Sequence, residues 1–111
     1  MAATGLAALK IWQDVLVGGN SDSLAEILTD DFVFVGTEGD SKSKDETLSW
    51  VSNTEIRLSD FEVLYENHEV AFGLHAAIRS PEVPPSRIVF FARKEGEKFS
   101  YWQVRRLDGS D

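Results

Sequence analysis

Hydrophobic residues recur at helical spacing in the first half of the chain and at strand spacing in the second half. From Thr4 to Val17 the apolar positions fall on one face when residues are placed at about 100° per step, which predicts a helix with one broad buried stripe. Gly18 and Gly19 are expected to end this helix, because glycine readily adopts the left-handed conformation common at helix C-termini. The stripe consists of Ala8, Leu9, Ile11, Trp12, Val15 and Leu16.

The stretch 23–36 is predicted to be a short capped helix that runs straight into a strand. Ser23 and Glu26 have the spacing of a capping box, in which each side chain binds a free N–H at the start of a helix. After Asp30-Asp31 the residues 32–35 are aromatic or β-branched, which favours a strand. The apolar residues that continue the helical spacing are Leu24, Ile27 and Leu28.

The remaining chain predicts a third helix and an antiparallel meander. Ser43 and Glu46 form a second capping box and start a helix that ends near Asn53, after a polar loop over 37–42. Helices followed by a meander indicate an α+β domain in which the helices cover one face of a curved sheet and enclose an apolar hollow. The predicted strands are 56–65, 69–79, 87–93 and 98–107.

Composition narrows the class of protein. A chain of 111 residues suits one domain over 1–111, and its net charge of −8 opposes binding to nucleic acid or to an anionic membrane. There is no cysteine, and His68 and His75 are the only histidines, so neither thiol catalysis nor a histidine-based metal site is expected, and no cofactor is predicted. No apolar run reaches membrane-spanning length and the N-terminus lacks a basic start, which together predict a cytoplasmic protein without a membrane partner.

The order helix–helix–strand–helix–meander resembles the NTF2-like superfamily, which includes nuclear transport factor 2, ketosteroid isomerase and the SnoaL-type (SnoaL-like) polyketide cyclases. The likeness covers nearly the whole chain and rests on Trp12, the Gly19-Asn20 hinge, residues 24–34, the helix that carries Trp50 and the turn 96–99. It implies a cystatin-like fold in which three N-terminal helices pack on a strongly curved antiparallel sheet to form a cone.

The same resemblance argues against the chemistry of ketosteroid isomerase. That family's catalytic tyrosine falls on Trp12, its aspartate base on Gly36 and its protonated aspartic acid near Val89. All three functional groups are absent, so an aspartate base with an oxyanion hole of two acids is disfavoured here.

The resemblance also chooses which strand residues face the inside of the cone. The tryptophans either form an aromatic wall for a flat ligand or fill the cone as core, and both interpretations stay open. Arg93 and Arg106 either hold a carboxylate or phenolate at the mouth or extend into solvent. Phe32, Gly36, Ala76 and Ile78 are also expected inside. The predicted pocket consists of Trp12, Phe34, Trp50, Phe72, Leu74, Val89, Phe91, Arg93, Trp102 and Val104.

His75 is the best acid/base side chain by type, because an imidazole titrates near neutral pH. Regular alternation places it on the outer face of its strand, in a surface that packs against a second copy. A bulge before His75 would reverse the alternation, bring His75 and Arg79 inside, and make His75 the leading catalytic candidate.

Three functions fit the sequence. The first is a SnoaL-like protein that binds a small apolar or partly oxygenated molecule, with isomerase, dehydratase or cyclase chemistry implied by the resemblance. The second is a non-catalytic interaction module that forms a homodimer through its outer sheet face. The third is a stand-alone domain whose pocket is vestigial. The residues expected on the outer face are Tyr65, His75, Phe90, Tyr101 and Gln103.

Overall fold

Six strands form one sheet in the computed structural model, which describes residues 4–18, 20–54, 56–80 and 82–107. The sheet order is β2-β1-β6-β5-β4-β3, with β1 parallel to β6 and every other neighbouring pair antiparallel. This arrangement confirms an α+β fold. In the described part of the chain, the helices are too short or too polar to cross a membrane. The elements are α1 Gly5–Leu16, α2 Asp22–Ala25, β1 Leu28–Val35, β2 Ser41–Ser43, α3 Lys44–Ser52, β3 Arg57–Glu66, β4 Val70–Ile78, β5 Ser86–Glu95 and β6 Lys98–Arg106.

Helix α1 follows its hydrophobic pattern. The hydroxyl of Thr4 accepts a hydrogen bond from the Ala7 N–H at 3.1 Å and caps the first turn. The predicted stripe is buried except for Ile11, which is partly buried. Gly18 ends the helix at φ 103°, and its N–H donates to Val15 O; Gly19 lies outside the described residues.

Helix α2 differs from its prediction. It is a single turn that begins at Asp22, and the expected capping box of Ser23 and Glu26 is wrong. The side-chain oxygen of Asn20 accepts from Asp22 N–H at 2.9 Å, and the Ser23 hydroxyl donates to Asn20 O, so Asn20 organises this turn. Strand β1 starts at Leu28, four residues before the predicted start at Phe32, and Leu28 pairs with Phe99.

Helix α3 begins at the predicted capping box, in which Ser43 and Glu46 exchange both hydrogen bonds. The segment before it was expected to be a loop, but residues 41–43 form the edge strand β2 on β1. Because two strands separate α3 from α1 and the four-residue α2, the helices are not a continuous N-terminal group.

A bulge in β6 decides which residues point inward. Lys94 of β5 pairs with Phe99 of β6, and the residue before it, Arg93, pairs with Tyr101. Ser100 is therefore an extra residue of β6 without an opposite partner. Phe99 and Trp102 are consequently both buried although they are three residues apart.

Because of this bulge, the inner faces predicted for β4 and β5 are wrong. Phe91 pairs with Gln103 on the outer side of the sheet, and Ala92 pairs with Trp102 on the inner side. The pairing of β4 with β5 is regular, so it transmits the reversal to β4 without any bulge there. The inward residues are Ala71, Gly73, His75 and Ala77 on β4, and Ile88, Phe90 and Ala92 on β5. The residues wrongly placed inside are Phe72, Leu74, Ala76, Ile78, Val89, Phe91 and Arg93.

Two further register shifts bend β3. They lie between Ser59 and Glu62 and between Val63 and Tyr65, and Asp60 takes φ 56° at the first. The bent strand comes so close to β4 that a Cβ added to Gly73 would lie 2.1 Å from Glu62 O. Only glycine fits there, which explains one small residue on the inner face of β4.

A partly buried ion pair lies at the end of the sheet where β3 ends and β4 begins. The Glu66 carboxylate accepts from the Lys94 ammonium and from the first helical N–H of α1, at Gly5 (2.8 Å). The Lys94 side chain is 6% exposed and also donates to Asn67 O at 3.0 Å. The pair thereby fixes the start of α1 to the hairpin ends of the sheet.

Gly73→Ala is expected to lower the free energy of unfolding by about 1–3 kcal/mol, because the added methyl group must displace the β3 backbone. Gly36→Ala is the control, since its nearest neighbour is the rotatable Asp40 carboxylate, and its stability should stay within about 1 kcal/mol of wild type. Urea unfolding measures both, and equal stability of the two variants would contradict the close approach.

Candidate functional site

A cavity of about 220 Å³ opens at one edge of the sheet. Because β1, β4 and β6 run in the same direction, their C-terminal ends meet at this edge together with the start of β3. The wall residues are Leu9, Trp12, Leu16, Phe34, Trp50, Ile56, Leu58, His75, Ala77, Ile88, Trp102 and Val104. The mouth residues are Gly36, Thr37, Glu38, Asp40, Lys42 and Arg79.

Aromatic rings line one side of the cavity as a continuous series. Trp12 lies 5.6 Å from Phe34 and 5.7 Å from Trp102, measured between ring centroids. Phe34 in turn stacks on Trp50 at 5.6 Å. The three tryptophans are thus connected by direct contact or through Phe34, and the cavity lies beside them. They form part of the core and part of the cavity wall.

The ring of Phe90 carries the series to His75, and Phe61 contacts His75 as well. Trp102 stacks on Phe90 at 5.1 Å, and the His75 ring lies 6.1 Å from Phe90 and 6.3 Å from Phe61. His75 is 5% exposed, and it comes from the inward positions of β4 opposite Ile88. The imidazole therefore occupies an apolar, largely aromatic setting.

The hydrogen bond of His75 fixes its tautomer. Nδ1 lies 3.2 Å from Ala76 O, and a carbonyl oxygen can only accept, so Nδ1 carries the proton in the neutral ring. Within the described ranges, Nε2 has no hydrogen-bond partner, so it is the ring nitrogen available to a ligand. Burial lowers the pKa of His75 below its ordinary value of 6.5, while the bond to Ala76 acts in the opposite direction.

The mouth combines both signs of charge. The Lys42 ammonium lies 2.6 Å from an Asp40 carboxylate oxygen and 5.4 Å from the centroid of the Trp50 ring. The hydrogen bond from Lys42 lowers the pKa of Asp40, which stays ionised. Gly36 N–H donates to Asp40 O at 2.8 Å and closes the loop that carries these groups.

The structure brings together half of the predicted pocket. Trp12, Phe34, Trp50, Trp102 and Val104 line the cavity. The other five predicted residues lie on the outer side of the sheet, as the reversed alternation of β4 and β5 requires: Phe72, Leu74, Val89, Phe91 and Arg93.

His75 and Arg79 reach the cavity, although β4 carries no bulge before His75. Arg106 is exposed and does not line the cavity. One signal in the sequence could have corrected the face assignment of β5. The face that carries Val89 and Phe91 also carries Arg87 and Arg93, which suits a face turned to solvent.

Neither a protein-family model nor a curated protein matches the sequence. Similar solved structures do exist, and three of them cover most of this chain. An NTF2-like protein of unknown function from Cytophaga hutchinsonii has a TM-score of 0.76 and 10% identity, with 96% of this chain and 93% of that chain covered. An uncharacterised cystatin-fold protein from Novosphingobium aromaticivorans has a TM-score of 0.74 and 19% identity, with 95% and 100% covered.

A putative ketosteroid isomerase from Kribbella flavida has a TM-score of 0.75 and 14% identity, with 95% of this chain and 78% of that chain covered. Identities this low compare folds and carry no activity from one protein to another. The expected resemblance is confirmed at this level: the chain has the NTF2-like, cystatin-like fold.

Proposed function

We propose that the cone binds a compact, mostly apolar molecule that forms a hydrogen bond with His75. The observation that carries the proposal is the free Nε2 of a buried histidine in the wall of an aromatic cavity. In the same wall, Trp12 Nε1 is fully buried and has no hydrogen-bond partner within the described residues, which is costly because it has lost its hydration and gained nothing in exchange. A ligand oxygen that accepts from Trp12 Nε1 would remove this cost, and a ligand hydroxyl can donate to the unpartnered Nε2 of His75.

Cavity volume limits the size of the ligand. An apolar cavity of about 150 Å³ is large enough to hold benzene, and drug-sized ligands occupy pockets of about 300 Å³ or more. The 220 Å³ found here lies between these values and favours a molecule of one or two rings. Stacked indole and phenyl side chains suit the flat face of such a molecule.

The site supports proton transfer as its reaction class. With Nδ1 held by Ala76 O, neutral His75 accepts a proton at Nε2 from an O–H or an activated C–H of the ligand and returns it from the resulting imidazolium. Isomerisation and dehydration both proceed through such transfers, and the proton is conserved within the site. The lowered pKa keeps the ring neutral, and so able to act as a base, at neutral pH.

This chemistry differs from that of an aspartate-based isomerase. Trp12 and Gly36 line the cavity without an acidic group, and the carboxylates of Glu38 and Asp40 stand at its mouth. Val89 lies on the outer face. The proton-transfer role within the wall therefore falls to His75.

Trp50→Ala should weaken the binding of 2-naphthol at least tenfold, because it removes the ring that stacks on Phe34 beside the cavity. Tyr65→Ala is a matched control, since Tyr65 also stacks on one phenylalanine, Phe72 at 5.8 Å, but on the outer face. Titration calorimetry measures both, with circular dichroism to establish folding. Unchanged affinity in folded Trp50→Ala would reject the cavity as the binding site.

Protonation of His75 should destabilise the protein. Its folded-state pKa is below 6.5, so the unfolded chain binds the proton more readily and stability falls as the pH drops through about 6.5. One such group contributes a slope of at most about 1.4 kcal/mol per pH unit. Urea unfolding should show this slope reduced in His75→Phe and retained in His68→Gln, where an exposed histidine is removed. Equal slopes of stability against pH in the two variants would contradict a lowered pKa of His75.

We also propose a second function, association of two copies through the outer sheet face. Four rings follow one another across neighbouring strands there, in the order Tyr65, Phe72, Phe91 and Tyr101. Phe72 and Phe91 are 36% and 37% exposed. A continuous apolar patch favours an interaction surface, and a two-fold axis lets the same patch serve both copies.

Phe91→Asp should convert a dimer to a monomer at micromolar concentration, because it places a charge within this apolar surface. Val83→Asp changes an exposed apolar residue between β4 and β5 and should leave the dimer intact. Sedimentation equilibrium distinguishes the two, and a monomeric wild-type protein at the same concentration would rule out self-association through this face.

A further inference from the structure

Alternation along β4 and the residue directly after it connects the wall of the cavity to its mouth. His75, Ala77 and Arg79 occupy every second position, and all three line the cavity. An extended chain rises about 3.3 Å per residue, so the backbone of Arg79 lies about 13 Å from that of His75. A molecule of one or two rings, together with the reach of an arginine side chain, spans this separation.

Among the residues that the structure describes, Arg79 is the lining cation without an acidic partner. The other lining cation, Lys42, is bound to Asp40 and lies over Trp50. Within the described residues, Arg79 forms neither an ion pair nor a side-chain hydrogen bond. Its guanidinium is therefore available to a group that enters the cavity.

We propose, building on the cavity function above, that the ligand is a compact cyclic carboxylic acid whose ring lies against the tryptophans and whose carboxylate is bound by Arg79. The planar guanidinium offers two parallel N–H donors that match the two oxygens of a carboxylate. Glu38 and Asp40 offset Lys42 and Arg79 at the mouth, so the lining charges balance. This balance suits a single negative charge better than a phosphate dianion, which the two carboxylates would repel more strongly.

The geometry also assigns opposite roles to the two ends of the ligand. The carboxylate stays at the wet mouth, where its desolvation costs least, and the ring carries any hydroxyl or activated C–H inward to His75. Glu38 then opposes the bound carboxylate, because its own charge lies at the same opening. Removing that charge should strengthen binding.

Calorimetric titration with 2-naphthoate and with its neutral isostere 2-naphthamide tests the inference. The wild-type protein should bind the acid roughly tenfold more tightly than the amide, because only the acid forms a charge-assisted pair. Arg79→Gln should abolish this preference, and Glu38→Gln should increase it. Arg87→Gln is the matched control, because Arg87 is exposed opposite Ala76 and lies outside the cavity, and it should preserve the preference.

Each other outcome has a separate meaning. Equal binding of acid and amide, both weakened by Trp50→Ala, would overturn the role of Arg79 and leave the cavity function standing. Absence of binding by either probe, and by 2-naphthol, would overturn both. A preference reduced as much by Arg87→Gln as by Arg79→Gln would show a general effect of charge and overturn the inference. Tighter binding of 2-naphthylmethylamine than of the amide would point to Glu38 and overturn it as well.

Discussion

The alternation of side chains across the sheet is the constraint on which the cavity depends, and one extra residue in β6 sets it. Because Ser100 has no partner, Phe99 and Trp102 both point inward, and Phe90 rather than Phe91 joins them. Regular pairing then carries the same choice to His75. A strand without this bulge would place a histidine on the outside and two bulky apolar residues inside.

The two ends of the sheet are built differently. Where β3 ends and β4 begins, Glu66 and Lys94 bind each other and the start of α1, so partly buried charges are paired and the helix is fixed in place. At the open end, strand termini bring polar side chains together around an aromatic wall, and Arg79 has no acidic partner among the described residues. The ion pair and the candidate site thus lie at opposite ends of the sheet.

Periodicity and capping predicted most of the fold, because α1, α3 and four strands of the meander follow from local patterns. The inward Phe32 and Phe34 of β1 and the inward Trp102 and Val104 of β6 were also predictable from alternation. Phe99 was not, because the bulge at Ser100 turns it inward, and Arg106 is exposed instead of inside. The inner face of β4 was not, because both of its faces are apolar. The concave face accepts only small residues where β3 approaches Gly73, so the larger Phe72 and Leu74 face outward. A bulge leaves no signal in the hydrophobic pattern, yet it decides that His75 and Arg79 line the cavity.

The proposed role of His75 is to present Nε2 of a neutral ring to a ligand in the cavity. The most direct test is a long-range ¹H–¹⁵N correlation spectrum of the histidine side chains at pH 7, recorded with and without 2-naphthol. The His75 ring should carry its proton on Nδ1, and 2-naphthol should shift the Nε2 resonance while His68 stays unchanged. A proton on Nε2 in the free protein, or an Nε2 resonance unmoved by saturating 2-naphthol, would contradict it.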